Sequence, residues 1–260
     1  TSTATVTNNY VRQFGSIQLQ KLVTGSGAPF VDGGTTFTVQ YTCGADFTGT
    51  VSLAPGAAPV VVNNLPLNEL CTFTELNPPT GTSAGLPAVG TYVWGSPTYS
   101  SGGQLVVGAT PPTGIVTNPT IVATAEIQIN KLVTGATDGF NGGNFFVDIS
   151  CVHPQTGAVI YTADNAALST GSAFVSNQSL PVGTTCTVTE ETPSSNMLDD
   201  DSYRWGATPG PQTVVAAPRH GVGQTTISNI FERVFGQLTL NKVVVDLDGV
   251  AEDGGFSGTW

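Results

Sequence analysis

The sequence predicts an all-β protein built of tandem β-sandwich repeats. Short stretches of alternating apolar and polar residues recur along the chain between clusters of glycine and proline, a pattern typical of strands joined by turns. No segment has the apolar period of a long amphipathic helix. The three lysines lie 110 and 111 residues apart in copies of one motif, which indicates that the sandwich is repeated.

The repeated motif surrounds Lys21 and returns around Lys131 and Lys242. Apolar side chains alternate with polar ones in each copy, so the motif predicts a strand with one buried face. The lysine is in phase with the apolar residues and is expected to point into the core. An unpaired buried ammonium costs several kcal/mol, so other polar groups are expected beside it.

The motif spacing divides the chain into four parts. Residues 15–124 and 125–235 are expected to form one complete repeat each, and each has the size of a small domain. Residues 1–14 match the last strand of a preceding repeat and its connector, and residues 236–260 match only the first strands of a following, incomplete repeat. We therefore expect the chain to be a window on a longer array.

Strand signals recur at short intervals through the first repeat, as expected for a β-sandwich. They cover residues 16–23, 36–43, 49–53, 60–63, 70–76, 92–97, 104–107 and 114–118. The second repeat keeps the same landmarks, including a tryptophan, Trp94 or Trp205, that we expect in the core. Differences in length between the repeats are expected to lie in loops.

The connectors between repeats have one constant length. Three pairs of residues, each an asparagine and a lysine, are separated by 13 positions: Asn8 and Lys21, Asn118 and Lys131, and Asn229 and Lys242. A short connector without a Gly/Ser tract favours a stiff, regularly angled rod.

The charge balance excludes several classes of partner. Seven basic residues against eighteen acidic ones give a net charge of −11, which is unfavourable for binding nucleic acid or an anionic membrane. No apolar run is long enough to span a bilayer. The two histidines, His153 and His220, do not recur between repeats, so we expect no metal site and no cofactor.

The four cysteines fall two per repeat. Cys43 and Cys151 each end a strand pattern on its buried face, and Cys71 and Cys186 each begin a matching strand. Their even number and equivalent positions favour the disulfides Cys43–Cys71 and Cys151–Cys186 in an exported protein. The alternative is a pair of reduced core cysteines in each repeat.

Two further polar residue types recur at positions that face the core. Glu75 and Glu190 each end the motif Cys-Thr-apolar-Thr-Glu, in phase with the buried cysteine. Asn118 and Asn229 end the last strands of the repeats, and Asn8 matches them. A lysine, a glutamate and an asparagine are therefore predicted to share each core.

This set of residues resembles the Cna B-type domain of Gram-positive surface proteins, and also the cysteine-containing tandem repeats of actinobacterial surface proteins. The resemblance lies in a lysine in the first strand, a glutamate in a late strand after Leu-Pro, and an asparagine in the last strand. It covers both repeats and the flanking pieces, and it implies immunoglobulin-like sandwiches at the surface of a bacterial cell.

The resemblance also implies a spontaneous isopeptide bond within each repeat. A deprotonated lysine would attack the asparagine carboxamide with loss of ammonia, and a protonated glutamate would polarise the carbonyl and shuttle the proton. The residues concerned are Lys21, Glu75 and Asn118 in the first repeat and Lys131, Glu190 and Asn229 in the second, with Asn8 and Lys242 in the partial repeats. The alternative is a buried Lys–Glu ion pair with asparagine as a hydrogen-bond partner, because the cysteine pair is not typical of Cna B-type domains.

These features favour a structural protein, a stalk or filament segment that is extracellular and packs against neighbouring repeats or copies of itself. The alternative is an adhesin that recognises a host protein or glycan through loops such as 80–90 and 193–202. An enzyme acting on external substrates is not expected, because no Ser-His-Asp or Cys-His set recurs. Isopeptide formation would be self-modification without turnover.

Overall fold

A computed structural model describes residues 2–217 and 222–241 of the chain. The predicted all-β fold is confirmed, because these residues form two successive β-sandwiches. Helical structure within the described ranges consists of short 3-10 turns at Ala28–Phe30, Ser100–Gly103, Thr137–Gly139 and Ser195–Met197. None of these turns is long and apolar enough to cross a membrane.

The first sandwich has two sheets whose facing sides form its core. One sheet has the strand order β4-β1-β9-β6, with β7 also paired to β9, and the other has the order β3-β2-β5-β8. The strands are β1 (Phe14–Thr24), β2 (Phe37–Cys43), β3 (Phe47–Leu53), β4 (Val60–Pro66), β5 (Leu70–Glu75), β6 (Tyr92–Trp94), β7 (Thr98–Tyr99), β8 (Gln104–Val106) and β9 (Thr113–Val122).

The second sandwich repeats this arrangement. Its sheets have the orders β13-β10-β18-β16, with β14 also paired to β10, and β12-β11-β15-β17. The strands are β10 (Thr124–Gly135), β11 (Phe145–Val152), β12 (Val159–Leu168), β13 (Phe174–Val175), β14 (Leu180–Pro181), β15 (Thr185–Glu190), β16 (Tyr203–Trp205), β17 (Gln212–Val215) and β18 (Val222–Arg233).

The first and last strands of each sandwich lie side by side and run parallel. Strand β1 pairs with β9 over 18–24, and β10 pairs with β18 over 126–135. Because a parallel pair places both strand starts at one end, the chain enters each sandwich at one end and leaves it at the other. The second sandwich therefore begins at the end of the first sandwich where the chain leaves it.

The connector between the sandwiches is almost entirely strand. Strand β9 ends at Val122 and β10 begins at Thr124, so Ala123 alone lies between them. Residues 2–13 form no strand, and their assignment to a preceding repeat stays a prediction. The assignment of residues 236–260 to a following repeat also stays a prediction. Lys242 and the residues after it lie outside the described residues.

The extra residues of the second repeat are only partly in loops, so the prediction that length differences avoid the strands is wrong here. Strand β12 has 10 residues where its counterpart β3 has 7. The pairing of β11 with β12 shifts register at two places, after Val147 and after Cys151. An edge strand has a neighbour on one side only, and a bulge can therefore absorb insertions there.

Candidate functional site

The predicted lysine, glutamate and asparagine meet inside each sandwich. In the first, Lys21 lies opposite Val116 on the neighbouring strand β9, and Asn118 lies two residues further along the same face. Glu75 is the last residue of β5 in the other sheet and reaches them across the core. All three side chains are buried, with Asn118 completely inaccessible to solvent.

In the first sandwich Glu75 bridges the other two residues. Its Oε2 accepts a hydrogen bond from Lys21 Nζ at 2.7 Å, and its Oε1 accepts one from Asn118 Nδ2 at 3.1 Å. The remaining polar atom, Asn118 Oδ1, is buried without a hydrogen-bond partner. One carboxylate therefore contacts both the amine and the amide nitrogen, which is the placement that a proton shuttle between them requires.

In the second sandwich the same residue types adopt another arrangement. Lys131 Nζ contacts Asn229 Oδ1 directly and donates to the carbonyl of Ile227 at 3.4 Å. Glu190 Oε1 lies 2.9 Å from Lys131 Nζ, within ion-pair distance, but neither Glu190 oxygen has a hydrogen-bond partner of good geometry. Here the amine lies against the carboxamide group, with the carboxylate beside it.

An aromatic ring covers each lysine. Lys21 Nζ lies 4.4 Å from the ring centre of Phe37, and Lys131 Nζ lies 4.3 Å from that of Phe145. Trp94 and Trp205 pack edge-on against these two rings. The predicted core position is confirmed for Trp94, whereas Trp205 is partly buried and packs against the edge of the core. The strand pattern predicts that both phenylalanines are buried, since each is in phase with the buried cysteine of its strand, but it does not predict their place over the lysines.

The environment makes each lysine a better nucleophile than an exposed lysine. Burial lowers the pKa of Lys21 and of Lys131, while the negative charge of the adjacent glutamate opposes the shift, helped in the first sandwich by the Lys21–Glu75 hydrogen bond. Desolvation is the larger effect in both sandwiches. A larger share of neutral amine follows, and a neutral amine is the form that attacks a carbonyl carbon.

The four cysteines form the two predicted disulfides, Cys43–Cys71 and Cys151–Cys186. Each bridge joins directly opposite residues of neighbouring antiparallel strands, β2 with β5 and β11 with β15. Each therefore lies within one sheet, next to the core. The glutamate strands β5 and β15 are thus fixed covalently to the phenylalanine strands β2 and β11.

Of the two residues predicted for the partial repeats, Asn8 is exposed in the segment before β1 and is not part of either cluster, and Lys242 lies outside the described residues. Within the described part of the chain, no group of three or more His, Cys, Asp or Glu side chains is placed to hold a metal ion.

A family model with the description "Domain of unknown function (DUF5979)" matches residues 17–125 and 127–232. These two matches together cover most of the chain, one match for each sandwich. No curated protein is similar enough to the chain to count as a match.

Several solved structures are similar at low sequence identity. The Bacillus anthracis TIE protein is 12% identical with a TM-score of 0.40 over 84% of this chain, which spans only 34% of that protein's length. A C-terminal fragment of the pilus adhesin SpaC from Lactobacillus rhamnosus GG is 11% identical with a TM-score of 0.37, and 88% of this chain and 100% of that chain are covered. GBS52, the minor pilin of Streptococcus agalactiae, is 10% identical with a TM-score of 0.32, and 87% and 100% are covered.

Proposed function

We propose that this chain, which belongs to the family described as "Domain of unknown function (DUF5979)" and carries two of its domains, is a tension-bearing stalk or filament segment at a bacterial cell surface. In this proposal each domain is closed by an isopeptide bond between its buried lysine and asparagine. Neighbouring repeats, or further copies of the chain in a filament, are its partners, and no cofactor takes part.

One observation carries the proposal: each lysine and asparagine lie on the two strands at which the chain enters and leaves its sandwich. Lys21 is on β1 and Asn118 is on β9, with Glu75 between them. The second sandwich places Lys131 on β10 and Asn229 on β18 in direct contact. A bond at this position would join the two points through which tension passes.

The proposed reaction needs only the three residues of each site. Proton transfer from Lys21 Nζ to Glu75 leaves a neutral amine and a carboxylic acid. The nitrogen lone pair attacks Asn118 Cγ, and the electrons of the carbonyl π bond move to Oδ1. Glu75 gives its proton to Nδ2, the atom that its Oε1 contacts, and takes the second proton from Nζ, while the electrons on Oδ1 re-form the carbonyl. The Cγ–Nδ2 bond breaks, ammonia leaves, and an amide joins Lys21 to Asn118.

Unpaired polar atoms favour the covalent product over a permanent ion pair. Asn118 Oδ1 and Glu190 Oε2 are buried without hydrogen-bond partners, and each such group costs about 1–3 kcal/mol. A buried ion pair also loses the hydration of both charges. Amide formation replaces the ammonium by a neutral group and leaves a neutral carboxylic acid beside it, so the core no longer holds a charge.

The position of the bond supports a mechanical role. An isopeptide bond between Lys21 and Asn118 would shield the 96 residues between them from extension. The disulfide Cys43–Cys71 lies within that segment and so is not on the path of the force. Disulfides form and persist in oxidising compartments, which supports an extracellular location.

Single-molecule force spectroscopy on the oxidised chain tests this role. We expect neither sandwich of the parent to release the chain between its lysine and asparagine. The variant Lys21→Met should add one unfolding step whose extension corresponds to that segment less the loop closed by Cys43–Cys71. The variant Gln20→Met, one position away on the same strand, should behave like the parent. An added step in the parent, or none in Lys21→Met, would contradict the proposal.

A second candidate function is binding through the first sandwich. A cleft of ≈ 450 Å³ lies between the start of β2 and the loop after β5, and its lining includes Phe37, Leu76 and Pro79. This cleft adjoins the loop 80–90, one of the two loops considered for recognition. The intact chain can be tested on glycan and matrix-protein arrays. Binding that is lost in Pro79→Asp would support adhesion, and a chain that binds nothing on the arrays would count against it.

A further inference from the structure

The two sandwiches make a specific side-chain contact beyond their continuous backbone. Thr91, at the end where the chain leaves the first sandwich, is fully buried. Its hydroxyl donates a hydrogen bond to the carbonyl of Val182 at 2.8 Å and accepts one from Gln155 Nε2 at 2.8 Å. A threonine of the first sandwich therefore has both of its hydroxyl hydrogen bonds with residues of the second.

Backbone hydrogen bonds hold the connector within the same contact. The N–H of Ala123 donates to the carbonyl of Thr91 at 2.8 Å, and the carbonyl of Ala123 accepts from the N–H of Val182 at 2.8 Å. The residue between the two sandwiches is thus bonded to both. This leaves the connector little freedom to rotate.

Two further contacts surround this hydrogen-bonded centre. Tyr92 Oη lies 3.4 Å from Nε2 of His153, and the Nδ1 of that histidine accepts a hydrogen bond from the N–H of Gln155 at 3.2 Å. Gly183 has a φ of +85°, and a Cβ placed there would lie 2.2 Å from Cγ1 of Val89. The sandwiches therefore approach closely at a position that has no room for a larger residue.

We propose that this contact is a docking interface that fixes the orientation of one repeat on the next. The hydroxyl of Thr91 lies at the centre of the interface, and the partner is a neighbouring repeat. None of its residues belongs to the Lys–Glu–Asn sites. The interface therefore forms whether or not the isopeptide bonds form, and it goes beyond the proposed function.

The outer ends of the two sandwiches repeat part of the backbone pattern of the interface. The N–H of Val234 donates to the carbonyl of Ser202 at 2.7 Å, as Ala123 does to Thr91. Ser202 stands at the position of Thr91, and its exposed hydroxyl donates a hydrogen bond to Oδ1 of Asp200. At the opposite end, Leu67 N–H donates to the carbonyl of Gln13 at 2.9 Å, as Val182 does to Ala123. The partner that fits either end is a repeat with the complementary half.

Residual dipolar couplings measured on the whole chain by NMR test the interface. If it fixes the orientation, the amide couplings of both sandwiches in the parent will fit a single alignment tensor. Thr91→Val removes both hydroxyl hydrogen bonds, and Gly183→Ala forces Val89 away. Each variant should require two tensors of different magnitude, while the spectrum of each sandwich remains that of a folded domain.

Thr50→Val is the matched control, because Thr50 is exposed on β3 of the first sandwich, away from the interface. This variant should keep the single tensor of the parent. Two tensors of different magnitude in the parent would overturn the proposal, and so would a single tensor in both Thr91→Val and Gly183→Ala. The use of two variants from opposite sides of the interface keeps the test decisive if one of them does not fold.

Discussion

The ammonium nitrogen of Lys21 lies 2.7 Å from Oε2 of Glu75, and both side chains are shielded from solvent. These residues are 54 positions apart in sequence and belong to opposite sheets. A buried pair of this kind is weak evidence for stability, because the hydration lost by both charges offsets their attraction. Its recurrence in the second sandwich, beside an asparagine each time, is what the proposed isopeptide reaction requires.

The two sites should react independently, because the contacts of each glutamate with a lysine lie within its own sandwich. Replacing Glu75 by Gln removes the proton shuttle, so the Lys21–Asn118 linkage should be lost and Lys131–Asn229 retained. Glu190→Gln should have the converse effect. Peptide mapping by mass spectrometry detects the linked peptides directly.

The control for these variants is Glu126→Gln, which changes an exposed glutamate on β10. It should leave both linkages in place. Persistence of the Lys21–Asn118 linkage in Glu75→Gln would show that the carboxylate has no part in the reaction.

The lowered pKa of Lys21 predicts how stability changes with pH when no bond can form. In Asn118→Ala the Lys21 amine has no carboxamide to attack, so it remains an amine that can gain and lose a proton. Between the lowered pKa in the folded state and the ordinary value of 10.5, the unfolded chain binds more protons than the folded one. The free energy of unfolding should therefore fall as the pH is lowered from 10.5 towards the folded-state pKa and level off below it, where both states carry the proton.

Urea unfolding of Asn118→Ala at a series of pH values measures this dependence. The double variant Lys21→Met with Asn118→Ala is the control, since it lacks the titrating amine. A rise of equal size in both variants would mean that another group is responsible.

Each disulfide should stabilise its own sandwich. Cys43 and Cys71 are 28 residues apart, and closing a loop of this size contributes about 3 kcal/mol. Cys43→Ser with Cys71→Ser should lower the free energy of unfolding of the first sandwich by roughly this amount and leave the second unchanged. Denaturant unfolding followed through amide signals of each sandwich separates the two, and an unchanged first transition would show that the bridge does not constrain the unfolded chain.

The phenylalanine that covers each lysine should matter more than its neighbour in sequence. Phe145 is buried against Trp205, whereas Phe146 on the same strand is 40% exposed. Truncating a buried phenylalanine typically costs about 3–5 kcal/mol, so Phe145→Ala should strongly destabilise the second sandwich. Phe146→Ala should have a much smaller effect. Equal losses in thermal unfolding would mean that Phe145 is not a core residue of the site.

The sequence was enough to predict the strands and the three polar residue types of each site, for a physical reason. A strand with one buried face alternates with period two, so a lysine in phase with Ile17 and Leu19 has to point inward. Because the same phase relation holds for Glu75 and Asn118, the predicted grouping needed no knowledge of which strands are neighbours.

Other features depend on pairing, which alternation does not specify. That β1 and β9 are adjacent and parallel follows from the sheet order, and the place of Phe37 over Lys21 follows from the packing of one sheet on the other. The extra residues of the second repeat are predicted in loops, and their partial placement in β12 differs because a bulge on an edge strand leaves little trace in the apolar pattern. The contact of Thr91 with Val182 joins two repeats and has no periodic signal at all.

The most direct test of the central claim is the intact mass of the purified chain, measured before and after reduction of the disulfides. The account predicts a mass below that of the sequence by one ammonia for each of the two sandwiches, a deficit that reduction does not restore. The variant Lys21→Met with Lys131→Met should lose that deficit entirely. A parent mass that equals the sequence mass after reduction would contradict the account and leave the lysines as partners in buried ion pairs.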